Sequence, residues 1–379
     1  MFLALPALVL ASCSSDEAMD VAKGSGISFE PAIAKGSRAL EVNTANLQEF
    51  NVSAYSATEQ FFTDVTIKRE NNLWTSEYLW PNYNLDFVAY SPVEFGGKAN
   101  INSTRQTLND VKIEQKIADQ KDIVVARNNN TKPGEKVKLH FDHALSAIQV
   151  KAKLANENLH YEIMAVKLCN LMSKGSFTYP AVAESGFELA DFTNGSWSNL
   201  TEYASYISRG DASKPVNLTT VGELKDLMAV EKDMFMPLPQ SVEGWNLKYD
   251  TSNDGFYVSI LCRIWQDNHA GGEVQLFPKT EGKYGFAAIP VKYDFQPGKK
   301  YTLVLSLDGG GYRDPDDTDP DNPNPDPDDP DNPIDPTPDP DDPDDPDPIL
   351  PGKISYDITV EDWSEEIEIP IDYTHPDNN

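Results

Sequence analysis

From Ile27 onward the chain alternates apolar and polar residues with a period of two. Ile27-Ser28-Phe29-Glu30, Phe50-Asn51-Val52-Ser53-Ala54-Tyr55, Val65-Thr66-Ile67-Lys68 and Leu85-Asp86-Phe87-Val88-Ala89-Tyr90 all follow it. Short runs of this kind, punctuated by Asn, Gly and Pro, predict half-buried β-strands with one wet face. The pattern resumes at Val137-Lys138-Leu139-His140-Phe141-Asp142-His143, after a turn at residues 128–134 that we take as a domain boundary. It continues through residues 148–154, 161–168, 256–265 and 301–307. Helical spacing is scarce, and the best helix candidate is 221–230, with Leu224, Leu227 and Met228 at helical intervals. Many short strands and few helices predict an all-β chain of two β-sandwich domains, 27–127 and 135–371.

The first residues read differently. An apolar run from Phe2 to Ala11 closes with Leu10-Ala11-Ser12-Cys13 and gives way to the polar, acidic stretch 14–20. Its length suits an export signal and falls short of a membrane span. A cysteine directly after Leu-Ala-Ser resembles a bacterial lipoprotein signal, with 1–12 as the signal peptide and Cys13 as the acylated first residue of the mature chain. No Lys or Arg precedes the apolar run, which departs from that pattern. Two or three acyl chains would anchor the protein to a membrane without spanning it. Residues 13–26 then form an acidic tether, with Asp16, Glu17 and Asp20. This tether reads either as a solvated spacer or as a surface-export signal like that of Bacteroidota lipoproteins.

Charge is concentrated near the other end. Between Asp314 and Asp347 lie 16 aspartates and no Lys or Arg, more than half of the net charge of −30. Repeats such as Pro-Asp-Asp-Pro remove backbone donors and offer nothing apolar, so 313–348 is expected to be a disordered or polyproline-II-like excursion interrupting the second domain. The ordered calcium loop, with its turn glycine and closing Glu, is missing from it. The remainder is only moderately acidic and lacks the Lys/Arg patches that nucleic acid requires.

Candidate chemistry is sparse. No nucleophile elbow, phosphate-cradling glycine loop or His-Glu-x-x-His occurs, so no catalytic residue, metal site or cofactor is expected and the chain is read as non-enzymatic. His140 and Asp142 share a strand face, a pattern read as packing because no further ligand cluster lies nearby. Trp74 and Trp80, with Tyr78 and Tyr83, suit either a sugar-stacking platform or a sandwich interior. Besides Cys13 the cysteines are Cys169 and Cys262, each in strand-like surroundings; they either pair or stay as buried thiols.

Several stretches taken together resemble the fimbrillin family of Bacteroidota. They are Ile27-Ser28-Phe29 with Ser37-Arg38-Ala39, residues 47–55, Tyr78-Leu79-Trp80-Pro81 with 85–92, and 122–126. Further along they are residues 139–146, Met236-Pro237-Leu238-Pro239-Gln240, Pro297-Gly298-Lys299-Lys300-Tyr301 and Val360-Glu361-Asp362-Trp363. Phe295 stands where a Trp is expected, and the Asp/Pro-rich segment is the main departure. The resemblance implies β-sandwich domains of transthyretin-like topology, a lipoprotein precursor on the outer membrane at the cell surface, and partners that are other fimbrillin subunits joined by strand exchange. It further implies a trypsin-like cut after Arg38 that frees the first strand. Ile367, Ile369 and Ile371 alternate on one face and suit a donor strand, or are the last strand of their own domain. Two functions follow: a fimbrial subunit or fimbria-associated adhesin with a host or bacterial surface ligand, or a monomeric surface glycan-binding lipoprotein using Trp74 and Trp80.

Overall fold

The computed structural model describes residues 26–33, 45–180, 196–211, 213–231, 233–245, 255–267, 272–279, 281–314 and 349–363. The signal, Cys13, the tether up to residue 25, Arg38, Ile367, Ile369, Ile371 and the Asp/Pro-rich residues 315–348 lie outside them. Among the described residues the protein is all-β, with a single 3-10 turn at Ile117–Asp119.

The first half carries β1 (Gly26–Ile33), β2 (Glu49–Tyr55), β3 (Gln60–Glu70), β4 (Leu73–Leu79), β5 (Leu85–Ser91), β6 (Lys98–Ile101), β7 (Gln106–Lys112), β8 (Val124–Thr131) and β9 (Val137–His143). Seven of these form one sheet in the order β1-β4-β3-β2-β5-β8-β9, which closes because β1 also pairs with β9. Its interior is apolar: Ile27, Phe29, Phe50, Val52, Phe87, Val137, Leu139 and Phe141 are all buried there.

The second half carries β10 (Ala147–Leu154), β11 (Leu159–Thr178), β12 (Ser196–Arg209), β13 (Val216–Leu218), β14 (Leu224–Asp226), β15 (Gln240–Val242) and β16 (Tyr257–Asp267). After them come β17 (Glu273–Phe277), β18 (Gly285–Pro290), β19 (Tyr293–Phe295), β20 (Lys299–Asp308), β21 (Tyr312–Arg313) and β22 (Lys353–Asp362). A four-stranded sheet, β14-β10-β20-β22, packs over a larger one whose main path is β21-β18-β16-β11-β7-β6. Val150, Leu303 and Leu305 on one side meet Val166, Leu168, Val258 and Ile260 on the other.

The two cores share a wall. On β5, Leu85, Phe87 and Ala89 face the first core while Val88 and Tyr90 face the second. Alternate side chains of a strand point to opposite faces, so the continuous apolar run Phe87-Val88-Ala89-Tyr90 belongs between two cores. The alternation read from Leu85 to Tyr90 therefore holds only at its start, and both faces are apolar beyond Asp86.

The turn at 128–134 does not separate the sheets. Gly134, at φ 84°, turns β8 back into β9, and the two strands pair from Val124↔His143 to Ala126↔Phe141. Conversely, the hairpin β6–β7, which precedes that turn, pairs onto β11 of the second half. The helix expected over 221–230 is also replaced. Gly222, at φ 78°, makes a turn, and β14 adds to the edge of β10 with Lys153 opposite Leu224. Leu227 and Met228 are buried whereas Leu224 is exposed, so the helical spacing marks no common face; the open edge of β10 captures the segment. Cys169 and Cys262 are free thiols on opposite faces of the large sheet.

Candidate functional site

The seam around β1 is the feature with functional promise. β1 pairs with β4 only at Gly26↔Leu79 and Ser28↔Thr75, with an irregularity between them. From Phe29 to Ile33 it pairs instead with β9, and that pairing is parallel. The strand is thus held by one neighbour over its first part and by the other over its second. Pro31 sits in the later part, opposite Leu139, and contributes no N–H.

Side chains do most of the holding. Ile27 is fully buried, Phe29 is 4% exposed and Ile33 is 3% exposed. Phe29 meets Phe50 edge-on at 5.7 Å between ring centroids and Phe87 at 5.9 Å. Burying three such side chains is worth roughly 5–9 kcal/mol. Ordering an eight-residue strand costs on the order of 10 kcal/mol, and the hydrogen bonds to β4 and β9 cover the difference at about 1 kcal/mol each. The strand is therefore a plug close to balance, and without it a groove lined by Phe50, Phe87, Leu139 and Phe141 would open.

The outer face of the seam is polar. Glu30 lies opposite Lys138 and Ala32 opposite His140. Burial lowers the pKa of His140, Lys138 lowers it further, and Glu30 opposes both. His140 and Asp142 point away from the core, while the next residue does not. His143 is buried, and its Nδ1 lies 2.9 Å from Asp122 Oδ2, also buried. The pattern His140-Phe141-Asp142-His143 therefore splits across the strand, and the residue that finds a carboxylate is His143. The described residues contain no group of three or more His, Cys, Asp or Glu side chains able to hold a metal ion.

The two tryptophans singled out from the sequence do not share an open surface. Trp80 is 3% exposed and packs against Phe87 with ring centroids 5.9 Å apart. Its ring fills the interior instead of offering a sugar-stacking face. Trp74 is half-buried and lies 5.3 Å from Phe50. Tyr83 borders a polar hollow with Glu59, Asp86 and Asn130, where its hydroxyl donates to Glu59. Arg38 and the isoleucines at 367, 369 and 371 fall outside the described residues.

The sequence did not signal that β1 changes neighbours partway along, because a parallel pairing between residues more than a hundred positions apart leaves no local mark. What it did show was the alternation that buries Ile27 and Phe29.

Comparison with known proteins bears on most of the chain. A model of the fimbrillin-like family matches residues 37–316. Among solved structures, a fimbrial protein from Bacteroides vulgatus aligns with a TM-score of 0.54 at 13% identity, covering 89% of this chain and 99% of that one. A fimbrilin from Porphyromonas gingivalis aligns with a TM-score of 0.41 at 14% identity, covering 78% of this chain and 93% of that one. No curated protein matches the sequence.

Proposed function

The chain belongs to the fimbrillin-like family, and on that premise we propose that it is a non-catalytic, lipid-anchored surface protein that serves as a fimbrial subunit or fimbria-associated adhesin. A place at the cell surface is what membership of a fimbrillin-like family supports. In this reading Cys13 carries the lipid that holds the precursor to the outer membrane. Cleavage after Arg38 separates β1 from the rest of the chain. The groove between β4 and β9 then accepts a strand from a neighbouring subunit, by β-augmentation. Ile367, Ile369 and Ile371 have the spacing of two that Ile27 and Phe29 have in β1, and supply the donor side chains.

One observation carries the reading: β1 is buried through its side chains yet shares its pairing between two neighbours. A strand so held can be exchanged for another of the same pattern at little net cost. The test is to treat purified precursor with a trypsin-like protease, sequence the new N-terminus and inspect the product by electron microscopy. A new terminus at Ala39 with filaments supports the proposal. An uncut Arg38, or a cut chain that stays monomeric and keeps β1, removes the polymerising role.

A further inference from the structure

Lys167 is a lysine in the middle of a sheet. The row through it runs Ile207, Lys167, Ser259, Ala288 and Tyr312 across β12, β11, β16, β18 and β21. Its side chain is on the face opposite the main core, and its ammonium lies 3.9 Å from the centroid of the Phe286 ring. Asp314, directly after β21, folds back over the same face. Lys167 Nζ lies 2.9 Å from Asp314 Oδ2, and each side chain is 1% exposed. Tyr257 donates its hydroxyl to the other oxygen, Oδ1, at 2.8 Å.

Two charges buried this deeply give up hydration that their mutual attraction repays only in part. Moving one proton from Nζ to the carboxylate gives an amine and a carboxylic acid, which an apolar site tolerates better. That neutral pair holds the reactants of an amide, already in contact. Reactants fixed in this way behave as if present at about 10⁵–10⁸ M when their geometry is right.

We propose that Lys167 and Asp314 join through an intramolecular isopeptide bond. The Nζ lone pair attacks Cγ of the protonated Asp314, and the Tyr257 hydroxyl stabilises the negative charge that develops on Oδ1. Burial foremost raises the Tyr257 pKa, so the phenol stays a donor. The C–Oδ2 bond breaks, Oδ2 leaves as water with a proton from Nζ, and an amide remains. No oxidant, metal or cofactor takes part. The bond ties the outermost strand, β21, to β11 across the two strands between them. It fixes the chain immediately before the run of aspartate and proline, so that a pull on that run loads a covalent link rather than the two-residue edge strand. The inference is independent of strand exchange at β1.

The test is mass spectrometry of the full chain, denatured and reduced, followed by proteolytic mapping. The expected result is a mass lower by one water than the sequence of the same N-terminus requires, with a branched peptide joining residues 167 and 314. Lys167→Arg keeps the charge but restores the full mass. Asp314→Asn closes with loss of ammonia in place of water, and Tyr257→Phe slows closure so that uncrosslinked chain accumulates. Recovery of the wild-type chain at full mass, with separate linear peptides containing Lys167 and Asp314, overturns the proposal. Because that outcome is read on the wild-type chain, misfolding of a variant does not obscure it.

Discussion

His143 and Trp363 lie flat on one another, with ring centroids 4.2 Å apart and planes inclined by 4°. His143 ends β9 of the first sheet, and Trp363 follows β22, the last described strand. Around them Trp363 N–H donates to Gly298 O at 2.9 Å, and Gly298 N–H donates to Leu145 O at 2.9 Å. The stack therefore fastens the end of β22 to the junction of the two halves. Trp363 is fully buried, so Trp363→Ala is expected to cost about 3–5 kcal/mol. Urea denaturation measures the loss, and hydrogen exchange should rise first in β22. A loss under about 1 kcal/mol, well below the usual range for a buried aromatic, would mean that the stack holds nothing.

A second expectation concerns the plug. Phe29→Ala removes the ring that meets Phe50 and Phe87, and the cavity term makes the cost about 3–5 kcal/mol. Because β1 lies at the seam, that loss should appear as local opening. Exchange of the β1 amides should rise toward the unprotected rate, while β11 and β20 keep their protection. A uniform rise across both halves would show that β1 is not a separable unit.

The buried thiols give a third. Burial pushes the Cys169 thiol up to about 12, with Lys167 opposing and Asp314 reinforcing the shift, and burial alone raises that of Cys262. Thiolate is the reactive form, so neither should react with a disulfide reagent in the native protein at mildly alkaline pH. Both should react once the chain is unfolded in denaturant. Rapid native labelling of either would contradict the packing described for the large sheet.

Four of the stretches that marked the family in the sequence turn out to be neighbours. Residues 139–146, 236–240, 297–301 and 360–363 meet where Ser146 N–H donates to Pro237 O, Gly298 N–H donates to Leu145 O, and His143 stacks on Trp363. They were legible because a junction of turns and buried aromatics constrains residue type locally. Strand alternation was equally plain, since one wet face and one dry face impose it. Which sheet a strand joins was not legible: β9 and the hairpin β6–β7 choose partners through long-range register, and nothing in their own pattern records the choice. The helical spacing at 221–230 misled for a related reason, because the open edge of β10 outweighs a weak local preference. The pairing of Lys167 with Asp314 was beyond local reading altogether, since neither residue is unusual until the sheet brings them together.

The last expectation is a pH dependence at the seam. His140 is half-buried in β9 opposite Ala32 of β1, and its Nδ1 finds no hydrogen-bond partner among the described residues. Burial first and Lys138 second lower its pKa, with Glu30 raising it, and the net shift is downward. The folded chain therefore holds this imidazole neutral at a pH where the unfolded chain, with a pKa of about 6.5, begins to take up a proton. Stability rises with pH wherever the unfolded state binds more protons. The contribution of His140 is accordingly complete above about pH 6.5 and is lost as pH falls from there through the lower folded value. Mild acid should loosen β1 against β9. The measurement is exchange or protease susceptibility of β1 across that range, in wild type and in His140→Gln. The variant should lose the part of the acid sensitivity that sets in first, and keep the part that carboxylates produce at lower pH. Identical profiles for the two proteins would show that His140 does not sense the seam.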